Sequence, residues 1–449
     1  MSYDLQSTPF PEALLLIGLA LVLAYFGAEV MKRYGVPQIL GFMLAGLFLG
    51  GIGIFNAETR SALFPLVDLA LGLIGYNIGL EIRKEVFRGR TRRLSVILVA
   101  ESILTFVIVT ALTGLILNNW YIAIIFGALA SATDPASTVM VIWERKCKGN
   151  LTDTLMFVLA MDDVLAILLA NVSISIAVLF LSTPGTVTLL GAMLGTMYEI
   201  SASCVVGGIL GAVMVVFVNR EDNRREMLEF ELGMIILLIG LMSWLHLSPI
   251  LSCMIFGFVV GNYVSPEKDP VSHTLKVVMS PIVMIFFVIV GASIDLSVIA
   301  GMTVVLLAVV YVGGRTFAKY FGALSGAMIT KSDSMTKKYL GLCLMSQAGV
   351  AVGLSLVVER SFIQIGTQAA MDYGVLIISV IAITTMALQV FGPIAASEGL
   401  KRAGEYPEDI VAAPVDGLYD LEKISSGVRN DTVSNADATN LSDSKDESL

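Results

Sequence analysis

Through its first 400 residues the chain alternates long apolar runs with short polar stretches. Crossing the hydrocarbon core of a bilayer takes ~20 predominantly apolar residues. Thirteen runs qualify: 11–31, 37–55, 61–81, 94–116, 119–143, 151–182, 186–218, 228–247, 249–264, 272–294, 296–329, 336–358 and 371–397. The second and ninth are short, and the seventh and eleventh are long enough to tilt. The pattern predicts an all-α polytopic membrane protein with about 13 transmembrane helices.

The basic residues test that number. Loops after odd-numbered runs hold 19 of them, from Lys32 and Arg33 through the Arg83–Arg93 cluster to Lys337 and Lys338, whereas loops after even-numbered runs hold only Arg60 and Arg360. A missed or false span would scramble this alternation downstream. Basic loops stay in the cytoplasm, so the N-terminus is expected outside and the C-terminus inside, in a cell membrane.

Composition narrows the class further. Of 449 residues, 56% are hydrophobic and 14% charged, which excludes a soluble enzyme. The net charge of −9 is uneven: from Lys401 onward, 11 acids and 5 bases give −6, leaving −3 for the rest. This acidic 401–449 tail, rich in Ser, Asn and Thr, is expected to be largely disordered. It lacks a glycine-rich nucleotide fingerprint. Outside short loops there is no basic patch for nucleic acid. Cys147, Cys204, Cys253 and Cys343 are scattered with no metal or disulfide spacing. The first residues lack the basic segment of a signal peptide. With two histidines and no nucleophile–base set, neither an enzyme nor a resident cofactor is expected.

Against this background the charged residues inside apolar runs stand out. Asp162 and Asp163 lie side by side in the middle of run six. A charge at the bilayer centre costs ~3 kcal/mol on insertion scales. Two adjacent carboxylates also repel, so they titrate as a coupled pair. They read as an ion or proton site.

Run five is broken at Ala130-Ser131-Ala132-Thr133-Asp134-Pro135-Ala136-Ser137. Proline removes a helix donor and clashes with the preceding turn. An acid at such a break points to an unwound segment lining a cavity. Run twelve is also irregular, with Ser346, Gln347, Gly349, Gly353 and Ser355 in an apolar stretch. Runs five and twelve sit seven apart, as runs six and thirteen do. Six runs, a linker and six more give two inverted repeats, each interrupted at its fifth helix, the pattern of crossing broken helices.

Arg315 and Lys319 lie within run eleven. Arg315 requires an internal carboxylate, with Asp162 or Asp163 as the expected partner. Lys319, one turn on, shares that role or snorkels to the cytoplasm. Glu101 and Asp68 are secondary candidates, to line the ion path or face a subunit contact, and Gln347 is a further secondary position. Glu199, Glu229, Glu231, Asp295, His246 and His273 fall near run ends.

Thr133-Asp134-Pro135 on a broken run, followed by Asp162-Asp163 on the next, resembles the monovalent cation:proton antiporters. The likeness is to the branch that includes bacterial NapA and the animal Na+/H+ antiporters. The stretch from Pro281 to Asp295 resembles the segment before the basic helix in that family, and the resemblance spans about residues 10–400. It implies an NhaA-like antiporter fold and a homodimer. In each subunit a core (about 94–182 and 272–397) moves like an elevator against a dimerisation scaffold (about 11–81 and 186–264). It also implies Na+ at Asp163 and Thr133, Asp162 paired to a basic residue, Asp134 at the helix crossing, Arg315 in the basic position and a role in pH homeostasis. Na+ or Li+ is favoured over K+.

If cation and proton compete at Asp163 while Arg315 and Asp162 stay paired, exchange is one for one, because arginine does not release its proton. K+/H+ exchange is the alternative, and a sodium-coupled organic-anion symporter is the more distant one.

Overall fold

The structure, a computed structural model, describes residues 10–33, 37–55, 63–82, 91–181, 189–220, 223–245, 247–264, 270–294 and 301–407. Asp295, His246, the loop bases Arg60, Arg83, Lys84, Arg88, Arg90 and Lys268, and the tail past Pro407 lie outside these residues, as does the side chain of His273.

Every described element is helical. In chain order they are α1 (Phe10–Arg33), α2 (Gln38–Gly51), α3 (Phe64–Glu81), α4 (Thr91–Leu117), α5 (Trp120–Ser131), α6 (Pro135–Glu144), α7 (Asn150–Leu181) and α8 (Leu189–Arg220). Then come α9 (Arg224–Trp244), α10 (Pro249–Tyr263), α11 (Pro270–Ala292), α12 (Met302–Ile329), α13 (Ser334–Tyr339), a 3-10 turn (Leu340–Leu344), α14 (Gly349–Ile365) and α15 (Gln368–Arg402). Helix overlies each of the thirteen apolar runs. Among the described residues seven helices can cross a membrane by length and composition, or eight if the pair bent by 47° at residues 345–348 is one span. Shorter apolar helices such as α2, α5 and α10 fill the other runs.

Local chemistry sets the ends. Asn119 accepts from Ile122 N at 3.3 Å and starts α5; Ser248, followed by Pro249, starts α10; Thr367 starts α15. These side chains satisfy amide donors that a first helical turn leaves over. Gly366, at φ 76°, closes α14 in the left-handed conformation that glycine adopts without a Cβ penalty.

Small residues bring particular helices together. In a bilayer, helices associate by close packing rather than by hydrophobic transfer. A Cβ on Gly41 would fall 2.3 Å from the carbonyl carbon of Gly27, so α1 and α2 touch backbone to backbone. A Cβ on Gly322 would meet Glu101 Cα at 2.7 Å, which lays α12 along α4. A Cβ on Gly392 of α15 would fall 2.4 Å from Ser346 Cα, which sets α15 against the second break. Among the described residues three buried clusters result, the largest drawing on α1–α5, α7, α10–α12, α14 and α15. Helices α3, α8, α9 and α10 share one buried cluster with Tyr76, Met214, Leu238 and Phe256. The ends of α4, α6, α7, α12 and α15 share another, around Leu151, Leu155, Ala327 and Leu400.

Candidate functional site: a carboxylate cluster at two helix breaks

Helix α5 ends at Ser131, and α6 restarts at Pro135. A helix C-terminus leaves its last carbonyls without amide partners, and away from water each needs a donor. Here every one has one. Ala128 O accepts from Ser131 Oγ at 2.7 Å, and Leu129 O accepts from Gln347 Nε2 at 2.8 Å. Ala130 O accepts from Arg315 Nε at 3.0 Å, Ser131 O from Lys319 Nζ, and Ala132 O from Arg315 Nη2 at 2.8 Å.

The second break is served by the same side chains. Arg315 also donates to Met345 O at 2.7 Å and Ser346 O at 3.0 Å, and Gln389 Nε2 donates to Gln347 O at 2.9 Å. The two breaks meet directly, Asp134 N donating to Ser346 O at 3.1 Å and Ser346 Oγ to Asp134 O at 3.1 Å. Asp134 caps α6, accepting from Ser137 N at 3.3 Å, and also accepts from Gln389 Nε2 at 2.8 Å. Its charge thus faces the positive end of a half-helix, while Arg315 and Lys319 face the negative end of α5.

This arrangement corrects the expected partner of Asp162. The Arg315 guanidinium is spent on four backbone carbonyls, and Lys319 pairs with Asp162 instead, Nζ to Oδ2 at 2.6 Å. The physical reason is geometric. Arg315 lies level with the breaks, where a rigid fork of five N–H donors matches several carbonyls at once. One turn on, the compact ammonium of Lys319 meets carboxylates. Lys319 does not snorkel either; it is fully buried. Its second carboxylate is Glu101, Nζ to Oε1 at 2.5 Å, and it also donates to Thr133 Oγ1 at 2.9 Å.

Asp162 in turn accepts from Ser102 Oγ at 2.8 Å and from Thr133 Oγ1. Asp163 follows it on α7, rotated by roughly 100° around the helix axis, and is equally buried. Among the described groups at the breaks, Glu101, Asp134, Asp162 and Asp163 carry four negative charges against two on Arg315 and Lys319, a formal excess of two. No cluster of three or more His, Cys, Asp or Glu suited to a metal occurs among the described residues. A monovalent ion or a proton is the smallest load that reduces the excess.

Of the residues singled out in the sequence, Asp162, Thr133, Lys319 and Glu101 come together, with Asp134, Gln347 and Arg315 at the adjoining breaks. Asp68 does not join them. It lies on α3, bonded through both oxygens to Arg360 Nη1 at 2.8 Å and to Ser243 Oγ at 3.3 Å. Glu229 pairs with Arg225 at 2.8 Å near its helix end. Sequence reasoning missed Ser102 and Gln389. The only signal for either was a polar residue in an apolar run.

Two interrupted helices meeting against a buried carboxylate cluster define a secondary transporter. The family described as sodium/hydrogen exchanger, transmembrane, matches residues 17–395, and the chain belongs to that family. It is a membrane protein of a transporter family, and cation/proton exchange is the activity the family's name describes. Among its relatives, Na(+)/H(+) antiporter 1 of Methanocaldococcus jannaschii is 24% identical over 346 residues, covering 73% of this chain and 78% of the relative. The Na(+)/H(+)-K(+) antiporter GerN of Bacillus cereus is 22% identical over 379 residues, covering 82% and 92%. The solved structure of the sodium proton antiporter MjNhaP1 from M. jannaschii at pH 8 superposes with a TM-score of 0.74 at 19% identity, covering 88% of this chain and 99% of that one. That likeness is one of fold.

Proposed function

We propose that this protein exchanges Na+ or Li+ for H+ by alternating access, cation and proton competing at the Asp162–Asp163 pair. The observation that carries the reading is the pair itself, fully buried beside two helix breaks whose backbone is held open by Arg315, Lys319 and Gln389. A carboxylate holding Na+ repels a proton, and a protonated one offers Na+ no charge. If only loaded forms cross, exchange needs no further machinery.

Asp162 already serves Lys319, Thr133 and Ser102. We assign the traded load to Asp163, its equally buried neighbour on α7, with Thr133 at the edge of the site. Trading one Na+ for one H+ leaves the cluster with the same charge on both crossings, so we assign one-for-one exchange. This rests on the constancy of the Lys319–Asp162 pair and no longer on Arg315. The pair is constant because Lys319, Asp162 and Glu101 all ride in the same core.

Thirteen spans, an outside N-terminus and a cytoplasmic C-terminus remain our topology, with the protein in the cell membrane as a homodimer. The moving core comprises α4–α7 and α12–α15. Helix α11 lies along α2, with further contacts to α1 and α3, which supports counting it with the scaffold in place of the core, with the dividing line near residue 300. Reconstituted protein with a pH dye inside and Na+, Li+ or K+ added outside tests the reading. Proton movement with Na+ or Li+ is expected. Movement with K+ alone would transfer the assignment to K+/H+ exchange, K+ being part of the name of the B. cereus relative. No movement with any cation in folded protein would end the exchanger reading and promote the organic-anion symporter.

An elevator movement makes a separate demand. Arg360 on α14, in the core, is bonded to Asp68 on the scaffold helix α3. Sliding of the core must break this bond. Cysteines at positions 68 and 360, in a background without the four native cysteines, are expected to stop exchange when joined by a thiol cross-linker and to release it on reduction. Cross-linked protein that transports at the uncross-linked rate would overturn the movement.

A further inference from the structure

Helix α7, which carries both aspartates, begins at Asn150 after Gly149, a residue with no side chain to cap it. Its first amides are nevertheless satisfied. Leu151 N donates to Glu405 Oε1 at 2.8 Å, and Thr152 N and Thr152 Oγ1 donate to Glu405 Oε2 at 2.8 and 2.6 Å. Lys148 N donates to Glu405 O at 3.2 Å. Glu405 stands just past the end of α15, 254 residues along the chain from Leu151.

The approach is built in. Gly404, at φ 75°, turns the chain back in the left-handed conformation, with Gly404 N bonded to Lys401 O and Glu405 N to Leu400 O. A Cβ on Gly149 would fall 2.1 Å from Glu405 Oε1, so the glycine makes room for the carboxylate. Tyr406 then anchors the far side, its hydroxyl within 2.8 Å of Ser397 Oγ and donating to Ser397 O at 3.1 Å. A carboxylate on a helix N-terminus is favoured by the partial positive charge there as well as by the amide bonds.

We propose that Glu405 is a positioning residue for ion exchange: it caps α7 from the end of α15 and sets the register between the aspartates and the helix breaks. Helix α15 touches the site at two levels. Near its middle Gln389 holds Asp134 and Gln347, and at its end Glu405 holds the start of α7. Asp162 lies twelve residues into α7, about 18 Å from the cap. A rise or slip of α7 along its axis changes how Asp162 meets Thr133 and Lys319, which belong to other elements.

The inference rests on the exchange reading, and its test has one arm that does not. Cys147 is buried beside the clip, and burial, followed by the charge of Glu405, pushes its thiol up to about 11. With the other three cysteines replaced, alkylation of Cys147 in purified protein reports whether the clip is closed. Glu405→Ala and truncation after Gly404 are expected to speed alkylation and raise half-saturating Na+ about fivefold, the weight of a helix cap. Truncation after Pro407 is expected to change neither. Gly149→Ser added to Glu405→Ala supplies a cap within α7 itself and is expected to restore the Na+ dependence.

Unchanged alkylation in Glu405→Ala would show that the clip does not exist. Faster alkylation with unchanged half-saturating Na+ would reduce it to a structural tie, as would failure of the Gly149→Ser rescue. Should Glu405→Ala not fold, Glu405→Gln, which keeps the shape and loses the charge, is judged by the same two readouts. If wild type shows no exchange at all, the functional reading fails while alkylation still decides the clip.

Discussion

Asp163→Asn is expected to bring cation-driven proton movement in proteoliposomes down to background while leaving the protein's melting temperature in detergent nearly unchanged. The amide has the shape of the carboxylate but neither its charge nor its ability to trade a proton. Removing one charge from a cluster with a formal excess of negative charge does not weaken the fold on electrostatic grounds. Asp162→Asn should behave differently. Asp162 accepts from Lys319, Ser102 and Thr133, so its amide loses the partner of a buried ammonium and lowers stability together with transport. The two neighbours are therefore separable by comparing melting with exchange. Wild-type exchange in Asp163→Asn would remove the residue from the mechanism.

The second large effect is expected at Lys319. Lys319→Met leaves Glu101 and Asp162 facing each other in a buried site with no cation between them. Stranding one side of a buried pair commonly costs ~3–5 kcal/mol, enough to unfold a marginal protein or force a proton onto a carboxylate. We expect a sharp drop in melting temperature and in the yield of folded protein. Adding Glu101→Gln to Lys319→Met removes one stranded charge and should recover most of the stability without recovering wild-type exchange. If the single and double variants melt together, Glu101 and Lys319 do not share the charge balance seen in the geometry. Arg315→Met would act by another route, since it strands the carbonyls of Ala130, Ala132, Met345 and Ser346 rather than a carboxylate.

Much of the site was readable in the residues because charge and proline are costly in an apolar run. Asp162-Asp163, the Ser131–Pro135 break and the polar stretch at Ser346–Gln347 each interrupt a run that length alone makes a span. All three meet in the structure. Pairing was not readable to the same depth. Arg315 and Lys319 are one helical turn apart, and choosing which of them faces Asp162 requires knowing where the open carbonyls of the break lie. Those carbonyls belong to no side chain and leave no mark in the sequence.

Long-range partners were hidden for the same reason. Asp68 and Arg360 were each noticed, one as an acid in run three and the other as a rare outside base. Nothing in either neighbourhood indicated that they meet. Glu405 sat in a segment whose composition reads as tail, and its role depends on a missing side chain at Gly149. The division of the helices into core and scaffold was drawn from the resemblance, and no residue pattern marked that α11 packs along α2.

The central claim is competition between cation and proton at one buried carboxylate pair. Its most direct test is the half-saturating Na+ concentration of reconstituted exchange, measured across a range of pH. One proton displaced per cation predicts a rise of about tenfold for each unit that pH falls, on the acidic side of the range, while the maximal rate stays nearly constant. A half-saturating concentration independent of pH, with the maximal rate alone changing, would place proton and cation on separate sites and contradict the account.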